Sequence, residues 1–136
     1  MPSAIEEIHA DYVARYGTPR IEAVEAGRVR DYLLALNEPA DPAPNIPVPP
    51  LFLLTLGRTR RPQPSRGSAV NAGDEYEFLA PVYIGDTITV ERRVLGIDEK
   101  EGKQGKMYLT RAEAAYTNQH GTLVARAKLN TLRWGW

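Results

Sequence analysis

The chain has 136 residues, 43% hydrophobic and 25% charged, with 17 basic residues against 17 acidic ones and no cysteine. That length supports one domain around one core, and the composition is that of a globular chain. Zero net charge offers no electrostatic handle for nucleic acid or an anionic membrane, and the missing thiols exclude disulfide scaffolds, thiolate zinc sites and cysteine nucleophiles.

The N-terminal Pro2-Ser3-Ala4-Ile5-Glu6-Glu7 lacks the basic-then-apolar pattern of a secretion signal. No apolar run approaches the ~18–20 residues that span a bilayer. The expectation is a cytoplasmic protein. Ser3 and Glu6 stand at capping-box spacing and open a helix with Ile5, Ile8, Tyr12 and Val13 on one side. Gly17-Thr18-Pro19 ends it, so residues 1–17 form an N-terminal helical segment. Arg20 to Val24 reads as a short first strand. Val29, Tyr32, Leu33 and Leu36 then fall at helical spacing and predict an amphipathic helix over 26–37.

Residues 38–50 hold six of the eleven prolines. Successive prolines exclude helix and sheet ladders, which predicts a rigid, extended covering segment. Leu51-Phe52-Leu53-Leu54-Thr55-Leu56 follows, apolar nearly throughout. With Pro49-Pro50 suited to a first turn, it reads as a buried central helix. Residues 57–73 are polar and read as a long surface loop containing Arg58, Arg60, Arg61 and Arg66. That cluster is either a solvated loop or a phosphate contact.

Four strands complete the chain. Tyr76, Phe78, Ala80 and Val82 alternate with Glu75, Glu77 and Leu79, while Ile88, Val90 and Val94 alternate with Thr89, Glu91 and Arg93. A third strand runs from Met107 to Thr117, and Leu123, Ala125, Ala127 and Leu129 mark a fourth. Glu99–Gly102 and Asn118–Gly121 read as hairpin turns. The whole predicts an α+β domain, a bent antiparallel sheet wrapped around a central helix. Small residues at 112, 114, 115, 125 and 127 allow close packing on its concave face.

Two segments carry a family resemblance. Glu77-Phe78-Leu79-Ala80-Pro81-Val82-Tyr83-Ile84-Gly85-Asp86 resembles the strand and corner of the MaoC-like dehydratases. Tyr116-Thr117-Asn118-Gln119-His120-Gly121-Thr122-Leu123-Val124-Ala125 resembles their hairpin. Over roughly residues 18–134 the chain is similar to this family of hot-dog enzymes, which hydrate 2-enoyl thioesters or dehydrate 3-hydroxyacyl thioesters. It most resembles the N-terminal-half type and the partner subunits of heterodimeric dehydratases.

The resemblance implies a single hot-dog domain over 1–136 acting in fatty-acyl thioester metabolism, with no metal. No cofactor is implied beyond the coenzyme A or phosphopantetheine of the substrate. Catalytic members carry Asp, then Asn-Pro, then His after the helix that 26–37 matches, for general acid/base work. Here Glu38 stands where the Asp would be and Ala43 where the His would be. The only histidines, His9 and His120, fall elsewhere and read as surface residues. Active members also aim a backbone N–H from the start of the central helix at the thioester carbonyl. Pro49-Pro50 cannot donate there, leaving Leu51 or Phe52 to do so.

No catalytic residue is therefore expected, Glu38 being the one weak candidate. Leu51, Phe52, Arg58, Arg60 and Arg61 are the expected substrate contacts, apolar for an acyl tail and cationic for phosphate. Asp86 reads as a corner residue. The resemblance implies a non-catalytic subunit paired with a homologous subunit that carries the Asp/His pair, as a heterodimer or dimer of heterodimers. Otherwise it implies a homodimer. The alternatives are an active homodimeric hydratase or thioesterase using Glu38, or a non-enzymatic acyl-CoA-binding protein.

Overall fold

A computed structural model describes residues 1–39, 41–59 and 66–136. Helix α1 spans Ala4–Tyr16 and opens on a complete capping box. Glu6 N–H donates to Ser3 Oγ at 3.2 Å, and Ser3 N–H donates to Glu6 Oε2 at 2.8 Å. Two first-turn donors are thereby satisfied. Strand β1 is Arg20–Ala23 and helix α2 is Ala26–Ala35. Asn37, at φ 57°, stops α2, with the N–H groups of Leu36, Asn37 and Glu38 folded back onto the carbonyls of Leu33 and Leu34.

The segment expected to be a buried central helix is helical over about the predicted length, but as a 3₁₀ helix. It spans six residues, Pro50–Thr55, and buries Phe52 and Leu53 but leaves Leu51 53% exposed. An apolar run of six residues permits little more than one turn, and short pieces are where 3₁₀ geometry is used. At its exit, Gly57 has φ +71°, and a Cβ there would lie 2.7 Å from the Val90 side chain. Only glycine lets the chain pass this close to the sheet. Glu22 holds the same point from β1. It accepts from the Gly57 N–H and from Arg28 Nη1 at 3.3 Å, while Arg28 Nη2 donates to the Thr55 carbonyl at 3.3 Å.

The sheet is antiparallel, in the order β1-β3-β4-β5-β2, with β2 Ser68–Phe78, β3 Thr87–Gly102, β4 Gly105–Thr117 and β5 Leu123–Trp134. Two expectations are corrected. The loop predicted over 57–73 is strand from Ser68 onward, because β2 pairs with β5 from Ser68↔Trp134. It is an exposed edge strand, and without a buried face the sequence shows no alternation there. A bulge between Asn71 and Asp74 interrupts it, with Gly73 at φ +112°. The turn predicted at Glu99–Gly102 is strand too. Pairing continues to Gly102↔Gly105, leaving Lys103-Gln104 as a two-residue connection.

The core sits on the inner face of this sheet. Phe52, Leu53, Leu56, Val24, Val29 and Tyr12 pack against Ile88, Val90, Ala112, Ala114, Tyr116, Ala125, Ala127 and Leu129. Small side chains in the middle of β4 and β5 bring the covering elements close. The corner before β3 is tied by Asp86. Its carboxylate accepts from Tyr83 N–H at 2.9 Å and from Gln119 Nε2 at 2.8 Å, and Gln119 Oε1 accepts from Thr87 N–H. Asp86 bonds the bend, in keeping with the sequence reading.

Candidate functional site

The segment matched to a catalytic loop contains no acid/base pair. Glu38 is exposed, and its backbone N–H is spent on the Leu33 carbonyl at 3.0 Å. Ala43, where the resemblance would put a histidine, is partly buried. His9 lines a groove between α1 and β3 with Val94 and Ile97, and His120 occupies the β4–β5 turn beside Gln119. Among the described residues no group of His, Cys, Asp or Glu could hold a metal ion, and no helix is long and apolar enough to cross a membrane.

The expected substrate contacts divide. Phe52 is 1% exposed and meets Tyr32 edge-to-face at 5.7 Å, in the core. Leu51 points outward. Arg58 is exposed, its Nε donating to the Leu54 carbonyl at 3.2 Å, and Arg66 pairs with Glu7 at 2.8 Å. These two arginines therefore turn to different neighbours. Arg60 and Arg61 lie outside the described residues.

An apolar cleft of about 530 Å³ lies instead between the proline-rich segment and the end of β2. Pro47, Val48, Pro50 and Leu53 form one wall, and Phe78 and Leu79 belong to the other. The Val48 N–H donates to the Val82 carbonyl at 2.8 Å and fixes the wall to the corner. Sequence reading missed this cleft because distant segments build it. The signal was Val48, an apolar residue between prolines. At its mouth the 3₁₀ helix starts at Pro50, which has no N–H, and Phe52 N–H is used by the Pro49 carbonyl at 2.9 Å. Leu51 N–H is the first one here without a backbone acceptor among the described residues.

Farther along the inner face, Arg92, Ala114, Ala127 and Tyr76 stand opposite one another across four strands. Burial raises the pKa of Tyr76, Asp74 adding to it while Arg92 and Arg58 oppose. Burial likewise pushes Tyr116 up to about 12, against the pull of Arg92 and Arg58. These phenols stay protonated near neutrality, able to donate hydrogen bonds but not to abstract a proton. Asp74, the nearby carboxylate, is engaged at the bulge by Asn71 Nδ2 at 2.8 Å and Asn130 N–H at 3.3 Å.

The outer face is different. Arg93, Glu113, Lys128 and Glu75 alternate in sign across one row, and Arg126 pairs with Glu77 at 2.7 Å in the next. A concavity of about 740 Å³ lies over these charges. Opposite signs side by side neutralise one another, so this surface has no selective field for a charged ligand.

The family described as "FAS1-like, dehydratase domain region" matches residues 12–127. No curated protein matches the chain. Among solved structures it is similar to the ChsH1-ChsH2 complex from Mycobacterium tuberculosis, at TM-score 0.71 and 13% identity over 95% of this chain and 90% of that one. It is similar to the MaoC-like dehydratase from Rhodospirillum rubrum, at TM-score 0.63 and 18% identity over 90% and 91%. The HadBC (3R-hydroxyacyl-ACP dehydratase) complex from Mycobacterium tuberculosis gives TM-score 0.63 and 18% identity over 87% and 92%. At such identities the likeness to these structures is one of fold. By the match across most of its length and by its bent sheet, the chain belongs to the FAS1-like dehydratase-region family and is a MaoC-like hot-dog domain.

Proposed function

We propose that this chain is the non-catalytic subunit of a heteromeric MaoC-like enoyl-thioester hydratase or 3-hydroxyacyl-thioester dehydratase. The observation that carries this reading is Glu38. It is exposed, has Ala43 where an imidazole is needed, and lies on a chain whose two histidines are committed to other places. Losing a general acid or base costs about 10²–10⁴-fold. A homologous subunit would supply the Asp/His pair and the carbonyl-binding N–H that Pro50 cannot provide. This chain would contribute half of a joined sheet and the apolar cleft at Val48, Leu53 and Phe78 for a fatty-acyl tail. The phosphates of coenzyme A or phosphopantetheine would meet Arg58 and its neighbours Arg60 and Arg61, in a cytoplasmic enzyme of fatty-acyl metabolism.

Strand β2 supports the partnership. It is an eleven-residue edge strand whose only pairing among the described residues is with β5, and Val70, Phe78 and Leu79 are exposed on or beside it. A long free edge is a template for strand addition. Two of the structures similar to this chain are complexes named for paired components, ChsH1-ChsH2 and HadBC.

The test is turnover of a 2-enoyl-CoA followed by loss of enoyl absorbance. The isolated chain should be inactive. Co-expression with a hot-dog chain bearing Asp-x-Asn-Pro-x-His should give a stable complex and activity. Strong turnover by the isolated chain, abolished in Glu38→Ala, would refute the reading and favour a homodimeric enzyme.

A further inference from the structure

Three buried polar side-chain atoms lack a well-formed hydrogen bond among the described residues, Tyr12 Oη, Arg92 Nε and Thr110 Oγ1, although the Arg92 guanidinium faces the Tyr12 hydroxyl. All three residues line one cavity, about 100 Å³ in volume, between α1 and the inner face of the sheet. Orphaned buried polar groups are rare, and three of them lining one cavity call for a partner there, either water or a ligand. Thr110 is 2% exposed and Tyr12 is 9% exposed, so open solvent does not satisfy them.

The charge of the cavity says what the ligand is. Arg15, Arg92 and Arg133 all line it, and Arg133 is itself 8% exposed. Among the described residues, the one carboxylate within ion-pair distance of these guanidiniums is Asp11, shared between Arg15 at 3.0 Å and Arg133 at 3.5 Å. Arg92 has no ion pair there. Its guanidinium lies 4.1 Å from the centroid of the Tyr16 ring, which orients the group but does not neutralise it. Asp74 also acts on Tyr12 from the bulge, and three guanidiniums against these two carboxylates leave a positive excess in a region of low dielectric.

We infer that this cavity is a binding site for one small oxyanion, tetrahedral or carboxylate. Arg92 supplies the charge, and the Tyr12 and Thr110 hydroxyls donate to its oxygens. The volume admits such an anion, whereas waters alone would satisfy the orphans and leave the positive excess in place. Because the lining comes from α1, β2, β3, β4 and β5, the bound anion fastens α1 to the sheet.

The experiment uses the full chain and follows Tm during titration with sodium selenate, inorganic phosphate or sodium acetate. Sodium chloride at matched ionic strength is the control, since sulfate-like salts stabilise proteins generally. The expected result is a rise that follows the logarithm of anion concentration above Kd, about 5 °C at tenfold excess. The ordering of the three anions tells a tetrahedral from a carboxylate ligand. Thr110→Val, which keeps the shape and removes the orphaned hydroxyl, should weaken the response, and Arg92→Gln should abolish it. If Arg92→Gln does not fold, Thr110→Val and a selenate-soaked crystal decide. Anomalous density between Arg92 and Thr110 is expected. A linear, chloride-like response identical in wild type and Thr110→Val, or a soaked crystal with only water in the cavity, would overturn the inference.

Discussion

Strand β2 runs between two ends of one inner face that have opposite chemistry. At Phe78 the chain meets Pro47, Val48 and Leu53, and the space between them is lined by apolar residues. At Ala69 it meets Tyr12, Arg15 and Arg133, and the space is small and cationic. The same strand and the same pleat serve both. What differs is the covering element, a proline-rich segment at one end and a polar helix face at the other. In this fold the sheet sets position, and whatever lies on it sets chemistry.

The largest effect should come from emptying the apolar end. Phe52→Ala removes a ring that is 1% exposed and packed edge-to-face on Tyr32, leaving a void under the 3₁₀ helix. A loss of about 3–5 kcal/mol is expected in urea unfolding. A loss near that of a surface substitution would mean that the 3₁₀ helix does not hold the cleft wall.

Tyr116 stands at the apolar end, in one row with Val90, Ala125 and Phe78. Burial raises its folded-state pKa to about 12 from 10.0. A raised pKa contributes stability that is fully present below the unfolded value and lost as pH climbs through the folded one. Stability should therefore fall between pH ~10 and ~12, by roughly 2–3 kcal/mol for this residue. Burial raises Tyr12 and Tyr76 in the same direction and adds to the slope. Tyr116→Phe should flatten the alkaline limb in denaturant titrations at stepped pH. An unchanged limb would place its hydroxyl in water.

Where local chemistry decides structure, the sequence was legible. Ser3 and Glu6 announced the capping box, Gly85-Asp86 the corner, and Asn118 the turn in which its Oδ1 accepts from His120 and Thr122 N–H. The first half of β2 was not legible, because a strand exposed on both faces writes no period. The apolar cleft escaped because Val48 meets Val82 across thirty-odd residues of chain. The cationic cavity did leave a trace. Ile88, Val90 and Val94 were read as inward, and position 92 between them holds an arginine. Charge in an inward register marks a place where burial is compensated by something specific.

A smaller effect tests how the apolar end is anchored. Asp86→Ala deletes the acceptor for Tyr83 N–H and Gln119 Nε2 at the corner that carries Val82. The expected loss is about 1–2 kcal/mol, in the range of hydrogen bonds to a charged group at a half-buried site. Gln119→Ala alone should cost less, because the backbone bond to Tyr83 remains.

The smallest effect belongs to the outer face, which spans both ends and so serves as their control. Arg126 and Ala127 are neighbours in sequence, yet one is exposed to solvent and the other is 3% exposed against the core. Arg126 pairs with Glu77 at 2.7 Å, and that bond, more than any other influence, raises the arginine's pKa. Both side chains are more than half exposed, so water and salt screen the pair. Arg126→Gln should leave Tm within error, and any small drop should vanish at high salt. Ala127→Leu, one residue along, should destabilise by about 1–3 kcal/mol through overpacking of the inner face. If instead Arg126→Gln lowered Tm clearly and salt did not restore it, the outer charge rows would have to be in contact with another part of an assembly. The contrast that matters would then run through the thickness of the sheet rather than along β2.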